Sequence, residues 1–116
     1  MDRGGRGLRY LLRKFPTYGL PPEALVEVKN LSFSEAARWA HAEGVVNWID
    51  PNSRASHLSR SFAPPMPAGD RKVPLILREG DEALILAPAR KHEQPKSVAD
   101  LRYTWVRVRE ISSEAH

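Results

Sequence analysis

The chain has 116 residues, 41% of them hydrophobic and 28% charged, which is the length and composition of one globular domain. It contains no cysteine and only four scattered histidines, so a disulfide framework is excluded and no sequence-local zinc motif is present. No apolar run approaches the roughly 20 residues that a membrane span needs, and the N-terminus lacks a signal-peptide core. We therefore expect a cytoplasmic protein that needs no metal or other cofactor.

The formal charge of +4 arises entirely within residues 1–14. We interpret residues 1–7 as a basic flexible arm and residues 8–116 as a single α/β domain. Arginines near the start could hold the phosphates of a nucleic acid, because a guanidinium donates hydrogen bonds as a fork. These arginines are Arg3, Arg6, Arg9 and Arg13. A frayed terminus that only adds solubility is the alternative interpretation.

Two strands are predicted before the first helix. Leu8–Leu12 is a short, mainly apolar run, and Ala24–Lys29 alternates apolar and polar residues as a half-buried strand does. Phe15–Pro22 lies between them and is predicted to be a loop, because its prolines remove backbone donors and its glycine permits a turn.

The segment LSFSEAARWAHAEG predicts a helix. Ser32 and Glu35 stand at capping-box spacing, and apolar residues recur at helical intervals from Phe33 onward. Gly44 is expected to end this helix.

A second helix is predicted after an apolar strand, Val45–Ile49. Asp50 is a favoured N-cap residue, and Pro51 suits the first helical position. The apolar stripe of this helix comprises Ala55, Leu58 and Phe62.

The junction between this strand and helix has two interpretations. Backbone N–H groups at the helix start, with the hydroxyl of Ser53 and the guanidinium of Arg54, would form an anion site beyond the carboxyl end of a strand. The carboxylate of Asp50 opposes an anion, which favours a capped helix without a ligand. The residues alone leave both interpretations open.

The second half of the chain predicts a hairpin and a final strand. Val73–Leu77 and Ala83–Ala87 are joined by Gly80-Asp81, and the second run is apolar throughout, as in a strand covered on both faces. A polar loop with one helical turn leads to the last strand, Tyr103–Ile111. Together the elements predict a single-domain α/β fold in which a mixed β-sheet is flanked by helices.

Three stretches carry a resemblance to a known family. YLLRKFPTYGL keeps four residues at the spacing of the family's start, namely Tyr10, Leu11, Phe15 and Leu20. KVPLILREGDEALIL is similar to the family's basic strand and hairpin, and in Ala89–Lys96 the residue Arg90 matches a ligand-binding arginine. On these residues the chain resembles the viral type III anti-CRISPR ring nuclease family, whose members degrade cyclic tetra-adenylate.

The resemblance implies a mixed sheet with flanking helices, assembled as a symmetric dimer whose cleft holds one cyclic tetra-adenylate. It also implies a viral or mobile-element origin, and hence the host cytoplasm. In the family, a ribose 2′-OH attacks the adjacent phosphate while a histidine protonates the leaving oxygen. Pro51 occupies the place of that histidine, so the family's general acid is missing here.

Seven residues are expected to bind the ligand: Thr17, Tyr18, Asn52, Ser53, Arg54, Arg90 and Lys91. If the ring is cleaved, His92 and Glu93 are the expected catalytic residues, whereas His57 should point elsewhere. Trp48 could stack on a base, although tryptophan in a strand is more typical of packing on the sheet. Without cleavage the protein would sequester the messenger. The alternative is a noncatalytic interaction protein that inhibits a host enzyme or binds nucleic acid through the arm.

Overall fold

The computed structural model describes residues 7–15, 19–21, 23–42, 44–50, 58–64, 75–90 and 95–111. The elements within these residues are β1 (Arg9–Leu12), β2 (Leu25–Leu31), α1 (Phe33–Ala42), β3 (Val46–Asn47), β4 (Glu82–Pro88) and β5 (Leu101–Glu110). A short 3-10 turn, Val98–Asp100, precedes β5. This confirms an α/β fold.

The five strands form one mixed sheet in the order β2-β5-β4-β1-β3. β1 is parallel to both of its neighbours, β3 and β4. β5 is antiparallel to both of its own neighbours, β2 and β4. The predicted mixed sheet is therefore confirmed, with the apolar strand β4 at its centre.

The sheet is covered on both faces. Alternate residues of β4 enter two separate clusters: Leu84 and Leu86 face α1, whereas Ala83 and Ile85 face the opposite side. The α1-side cluster also contains Leu11, Ala36, Ala40, Ile49, Phe62, Ala63, Leu101 and Tyr103. The other cluster is completed by Tyr10, Leu12, Leu77, Val106 and Val108. Full burial of a leucine or isoleucine stabilises the fold by about 1.5–3 kcal/mol, so β4 anchors both layers.

The predicted capping box is present at the start of α1. The backbone N–H of Ser32 donates to Oε1 of Glu35 at 2.8 Å, and the N–H of Glu35 donates to the Ser32 hydroxyl at 3.1 Å. The pKa of Glu35 is lowered, chiefly by its hydrogen bond with the backbone of Ser32 and secondly by that with the Ser32 side chain. The helix ends at Ala42, close to the predicted stop at Gly44.

The strand predicted over Val45–Ile49 is shorter in the structure and comprises only Val46–Asn47. The backbone N–H of Trp48 still donates to the carbonyl of Leu11 at 3.0 Å, but the N–H of Ile49 donates to the side-chain oxygen of Asn47. A side chain that takes the next backbone donor in this way turns the chain out of the sheet. Of the second predicted helix, Leu58 and Ser59 are helical, and its expected start at Pro51 lies outside the described residues.

The predicted hairpin between Val73–Leu77 and Ala83–Ala87 is wrong. Residues 75–77 do not form a strand, because β1 and β5 already occupy both edges of β4. The predicted turn at Gly80-Asp81 does exist. The N–H of Asp81 donates to the carbonyl of Arg78 at 3.0 Å, and Gly80 has a φ of 90°.

Candidate functional site

Three neighbouring strands end at the same edge of the sheet. β4, β1 and β3 are adjacent and parallel, so their carboxyl ends point the same way. In open α/β sheets, ligands collect in the crevice outside the carboxyl ends of the strands, where successive strands lie on opposite sides of a central one. β3 and β4 flank β1 in this manner, which makes this edge, the carboxyl edge, the candidate site.

Every ligand residue predicted from the sequence follows one of these strand ends by a few residues. Thr17 and Tyr18 follow β1, residues 52–54 follow β3, and Arg90 with Lys91 follows β4. The two predicted catalytic residues, His92 and Glu93, continue from β4 in the same way. Arg90 is the only member of this set within the described residues. The structure therefore shows that the three strands preceding the predicted residues in the chain end at one edge of the sheet.

Arg90 is exposed beyond the end of β4. In the sheet register Leu12, the last residue of β1, lies beside Ile85, so β4 extends further than β1 at this edge. The N–H of Ala89 donates to the carbonyl of Asp100 at 2.8 Å and holds the chain immediately before Arg90. A groove of about 330 Å³ adjoins this point and is lined in part by Ala89 and Tyr103.

Asn47 fixes both sides of the segment that carries Asn52, Ser53 and Arg54. Asn47 is buried, with only 2% of its surface exposed. Its Nδ2 donates to the Ser59 hydroxyl at 3.0 Å and to the Ala63 carbonyl at 2.8 Å, while its Oδ1 accepts from the N–H of Ile49 at 3.0 Å. Residues 49 and 59–63 are thus tied to the end of β3. Sequence reasoning missed this role, although a single asparagine inside an apolar run was the available signal.

The arginines predicted to contact nucleic acid have different surroundings. Arg13 is exposed just after β1, and Arg3 and Arg6 lie outside the described residues. Arg9 belongs to β1, where its Nη1 donates to the carbonyl of Trp39 at 2.7 Å and its Nε lies 3.9 Å from Oε2 of Glu82. The structure therefore gives Arg9 internal partners at the amino end of β1.

Trp48, which follows β3, and the aromatic residues of β5 pack on the sheet, as the sequence favoured. Trp48 packs against the cluster opposite α1, with its ring 6.4 Å from that of Tyr10 in an edge-on arrangement. Trp105 packs against the α1-side cluster. Tyr103 is 3% exposed and its hydroxyl donates to the Val98 carbonyl at 2.7 Å. Burial raises the pKa of Tyr103 to about 12.

Two features of the described residues bear on other classes of function. They contain no group of three or more histidine, cysteine, aspartate or glutamate residues placed to hold a metal ion. Within the same part of the chain, no helix has the length and apolar character to cross a membrane.

Among solved structures, the chain is similar to B116 of Sulfolobus turreted icosahedral virus (STIV), with a TM-score of 0.63 and 17% sequence identity. The likeness covers 86% of this chain and 98% of the viral protein. No protein-family model and no curated protein matches the chain. At this identity the likeness shows a shared fold.

Proposed function

We propose that the chain binds a cyclic oligoadenylate, with cyclic tetra-adenylate as the expected ring, in a cleft between two copies of itself. By lowering the concentration of this messenger it would antagonise type III CRISPR or a related nucleotide-signalled defence. The convergence of three parallel strand ends carries the proposal, because each predicted ligand segment departs from one of them. The likeness in fold to a viral protein supports a viral origin.

The chemistry of the ligand suits a two-fold site. A cyclic tetra-adenylate carries four phosphates and four adenines around one ring, so two identical subunits can meet it through equivalent groups. Arg90 and Lys91 would neutralise phosphates, and the Ser53 hydroxyl would add a hydrogen bond. A guanidinium suits this task because its planar fork matches two phosphate oxygens at once. Tyr18 would lie against a base.

The proposal includes slow cleavage as well as sequestration. Attack by a ribose 2′-OH, which gives up its proton to solvent, on the adjacent phosphate forms a 2′,3′-cyclic phosphate and releases the 5′-oxygen, which needs a proton. Pro51 has no proton to give, so His92 would serve as the general acid, with Glu93 beside it. A positioned acid accelerates such a step by about 10²–10⁴-fold. Without a positioned acid the protein would cleave the ring slowly, so sequestration would be its main effect.

Calorimetric titration of the purified protein with cyclic tetra-adenylate tests binding. We expect one ring per two chains, with the affinity reduced at least about 30-fold in Arg90→Ala because a charged hydrogen-bond partner is lost twice per dimer. Arg107→Ala is the matched control, since Arg107 is exposed on β5 away from the carboxyl edge. Equal affinities for the two variants, or a chain that stays monomeric with the ring bound, would contradict the proposal.

Product analysis after long incubation separates sequestration from cleavage. If linear or cyclic-phosphate products form, His92→Ala should slow their formation by about tenfold or more. An unchanged rate would exclude His92 as the acid while leaving the binding proposal to the titration.

A second candidate function is supported by the charge distribution. All of the net charge of +4 lies in residues 1–14, as in a basic arm that binds nucleic acid. In that case the protein would bind duplex DNA with strong salt dependence, and deletion of the arm, residues 1–7, would abolish binding. The same deletion should leave the affinity for cyclic tetra-adenylate unchanged, so one variant distinguishes the two functions.

A further inference from the structure

We propose a second ligand site, on the α1 face of the sheet, that takes a small aromatic anion of the nucleoside monophosphate class. The site is a groove of about 350 Å³ between α1 and strands β2, β4 and β5. Glu82, one of its lining residues, begins β4 and so lies at the end of that strand remote from the carboxyl edge. The groove is therefore separate from the cleft proposed above, and its occupancy does not depend on that function.

Two tryptophans form the aromatic wall of the groove. Oε1 of Glu82 accepts a hydrogen bond from Nε1 of Trp39 at 2.6 Å and from Nε1 of Trp105 at 2.8 Å. One indole comes from α1 and the other from β5, and both converge on the same oxygen. Because each indole N–H already has an acceptor, a guest would meet the parts of the ring surfaces that Arg9 and Lys29 leave uncovered.

The charge of Glu82 is compensated inside the protein. Its second oxygen, Oε2, lies 3.9 Å from Nε of Arg9. The guanidinium carbon of Arg9 lies 5.2 Å from the centre of the Trp39 ring. With two indole donors and a guanidinium around it, the Glu82 carboxylate is already satisfied and does not select a cationic guest.

The rim of the groove carries two exposed cationic side chains. The ammonium of Lys29 lies 5.3 Å from the centre of the Trp105 ring, and Lys29 is 60% exposed at its side chain. Arg38 is exposed on α1 and also lines the groove. The remaining carboxylate of the lining, that of Glu35, accepts from the backbone of Ser32. With Arg9 counted beside Glu82, three cations face the two carboxylates of Glu35 and Glu82, so the groove offers a guest indole surfaces and a small net positive charge.

This combination favours a planar base that carries a phosphate. Bases stack on aromatic side chains without regard to sequence, and lysine and arginine neutralise phosphate. Lys29 also lies 3.7 Å from the Glu27 carboxylate, an exposed ion pair of a kind that contributes little and can be exchanged for a ligand. The groove is near the lower limit of small-molecule pockets, which suits a mononucleotide better than an oligonucleotide.

The three indole N–H resonances of the full chain report on this site by NMR. Titration with adenosine 5′-monophosphate should shift the signals of Trp39 and Trp105 saturably and leave that of Trp48 in place. Both parts of the ligand are needed. Adenosine, which lacks the phosphate, and ribose 5-phosphate, which lacks the base, should therefore each bind at least about tenfold more weakly. Trp→Phe variants assign the three signals.

Charge-removing variants complete the test. Lys29→Gln and Arg38→Gln should each weaken binding of adenosine 5′-monophosphate by about tenfold, whereas Lys29→Arg retains it. Arg60→Gln, at an exposed arginine outside the groove, is the control and should bind as the wild type does. Thermal unfolding of each variant verifies the fold. Equal binding of adenosine and its monophosphate, unchanged affinity in both Gln variants, or no shift of the two indole signals at roughly 10 mM ligand overturns the proposal.

Discussion

Replacement of Asn47 by alanine tests how the end of β3 is held. The substitution removes an amide that donates to the Ala63 carbonyl and the Ser59 hydroxyl and accepts from the Ile49 N–H. Residue 47 is only 2% exposed, so water has little access to replace these bonds. Each buried polar group that loses its partner costs about 1–3 kcal/mol. The loss of partners by the Ala63 carbonyl and the Ile49 N–H alone predicts a fall of about 3 kcal/mol in the free energy of unfolding.

Urea denaturation measures this loss directly. With a denaturant slope of about 1.5 kcal/mol per molar for a domain of this size, the midpoint of Asn47→Ala should fall by about 2 M. Asn30→Ala is the matched control, since Asn30 is exposed and its side chain has a long contact of 3.4 Å with the Thr104 hydroxyl. We expect the control to lie within about 0.5 kcal/mol of the wild type. A loss below about 1 kcal/mol in Asn47→Ala would refute the reasoning that buried amide bonds hold this junction.

Three further substitutions or titrations have defined outcomes. Glu82→Ala leaves two indole N–H groups without their shared acceptor and should lower the free energy of unfolding by about 2 kcal/mol in urea; Glu82→Gln retains an acceptor oxygen, so an equal loss in both variants would argue against the shared bond. Burial raises the pKa of Tyr103 to about 12 from its ordinary 10.0, so the stability that neutral Tyr103 contributes should fall as the pH rises between these values. Absorbance titration should show a tyrosine ionising at a pH of about 12, and Tyr103→Phe should remove that step. Gly80→Ala should cost about 1 kcal/mol because the φ of 90° is strained for any residue with a Cβ, whereas Gly44→Ala, with no atom within 4 Å of the added Cβ, should be neutral in thermal unfolding.

The elements that sequence reasoning predicted well depend on local signals. The capping box of Ser32 and Glu35 places α1 within a residue or two of its observed bounds, because a helix start satisfies its own backbone donors. The continuous apolar run of β4 indicated a strand covered on both faces, and both clusters draw on it. The alternation in β5 likewise placed Val106 and Val108 together on a buried face.

The errors concern partners that are distant in sequence. The hairpin prediction failed because β4 pairs with β1, which is more than sixty residues earlier in the chain, as well as with the later strand β5. The contact of Arg9 with Glu82 depends on the same parallel register. A run of residues shows which strands exist but does not determine which edges meet.

For the candidate site too, the sequence predicted the local features, and only the fold shows how distant segments meet. Sequence and resemblance pointed to residues that follow β1, β3 and β4, and the sheet order shows that these three ends share one edge. That order could not be read from local patterns. Asn47 was missed because its partners, residues 59–63, return to it only in the folded chain.

β5 is the last of the described strands, yet it lies between β2 and β4 and runs antiparallel to both. On the ribosome, β2 has no neighbouring strand until residues 101–110 have emerged, so the nascent chain cannot complete this sheet before that point. A premature stop codon before β5 would therefore leave β2 and β4 with open edges, and such a fragment should be cleared by proteolysis or aggregate.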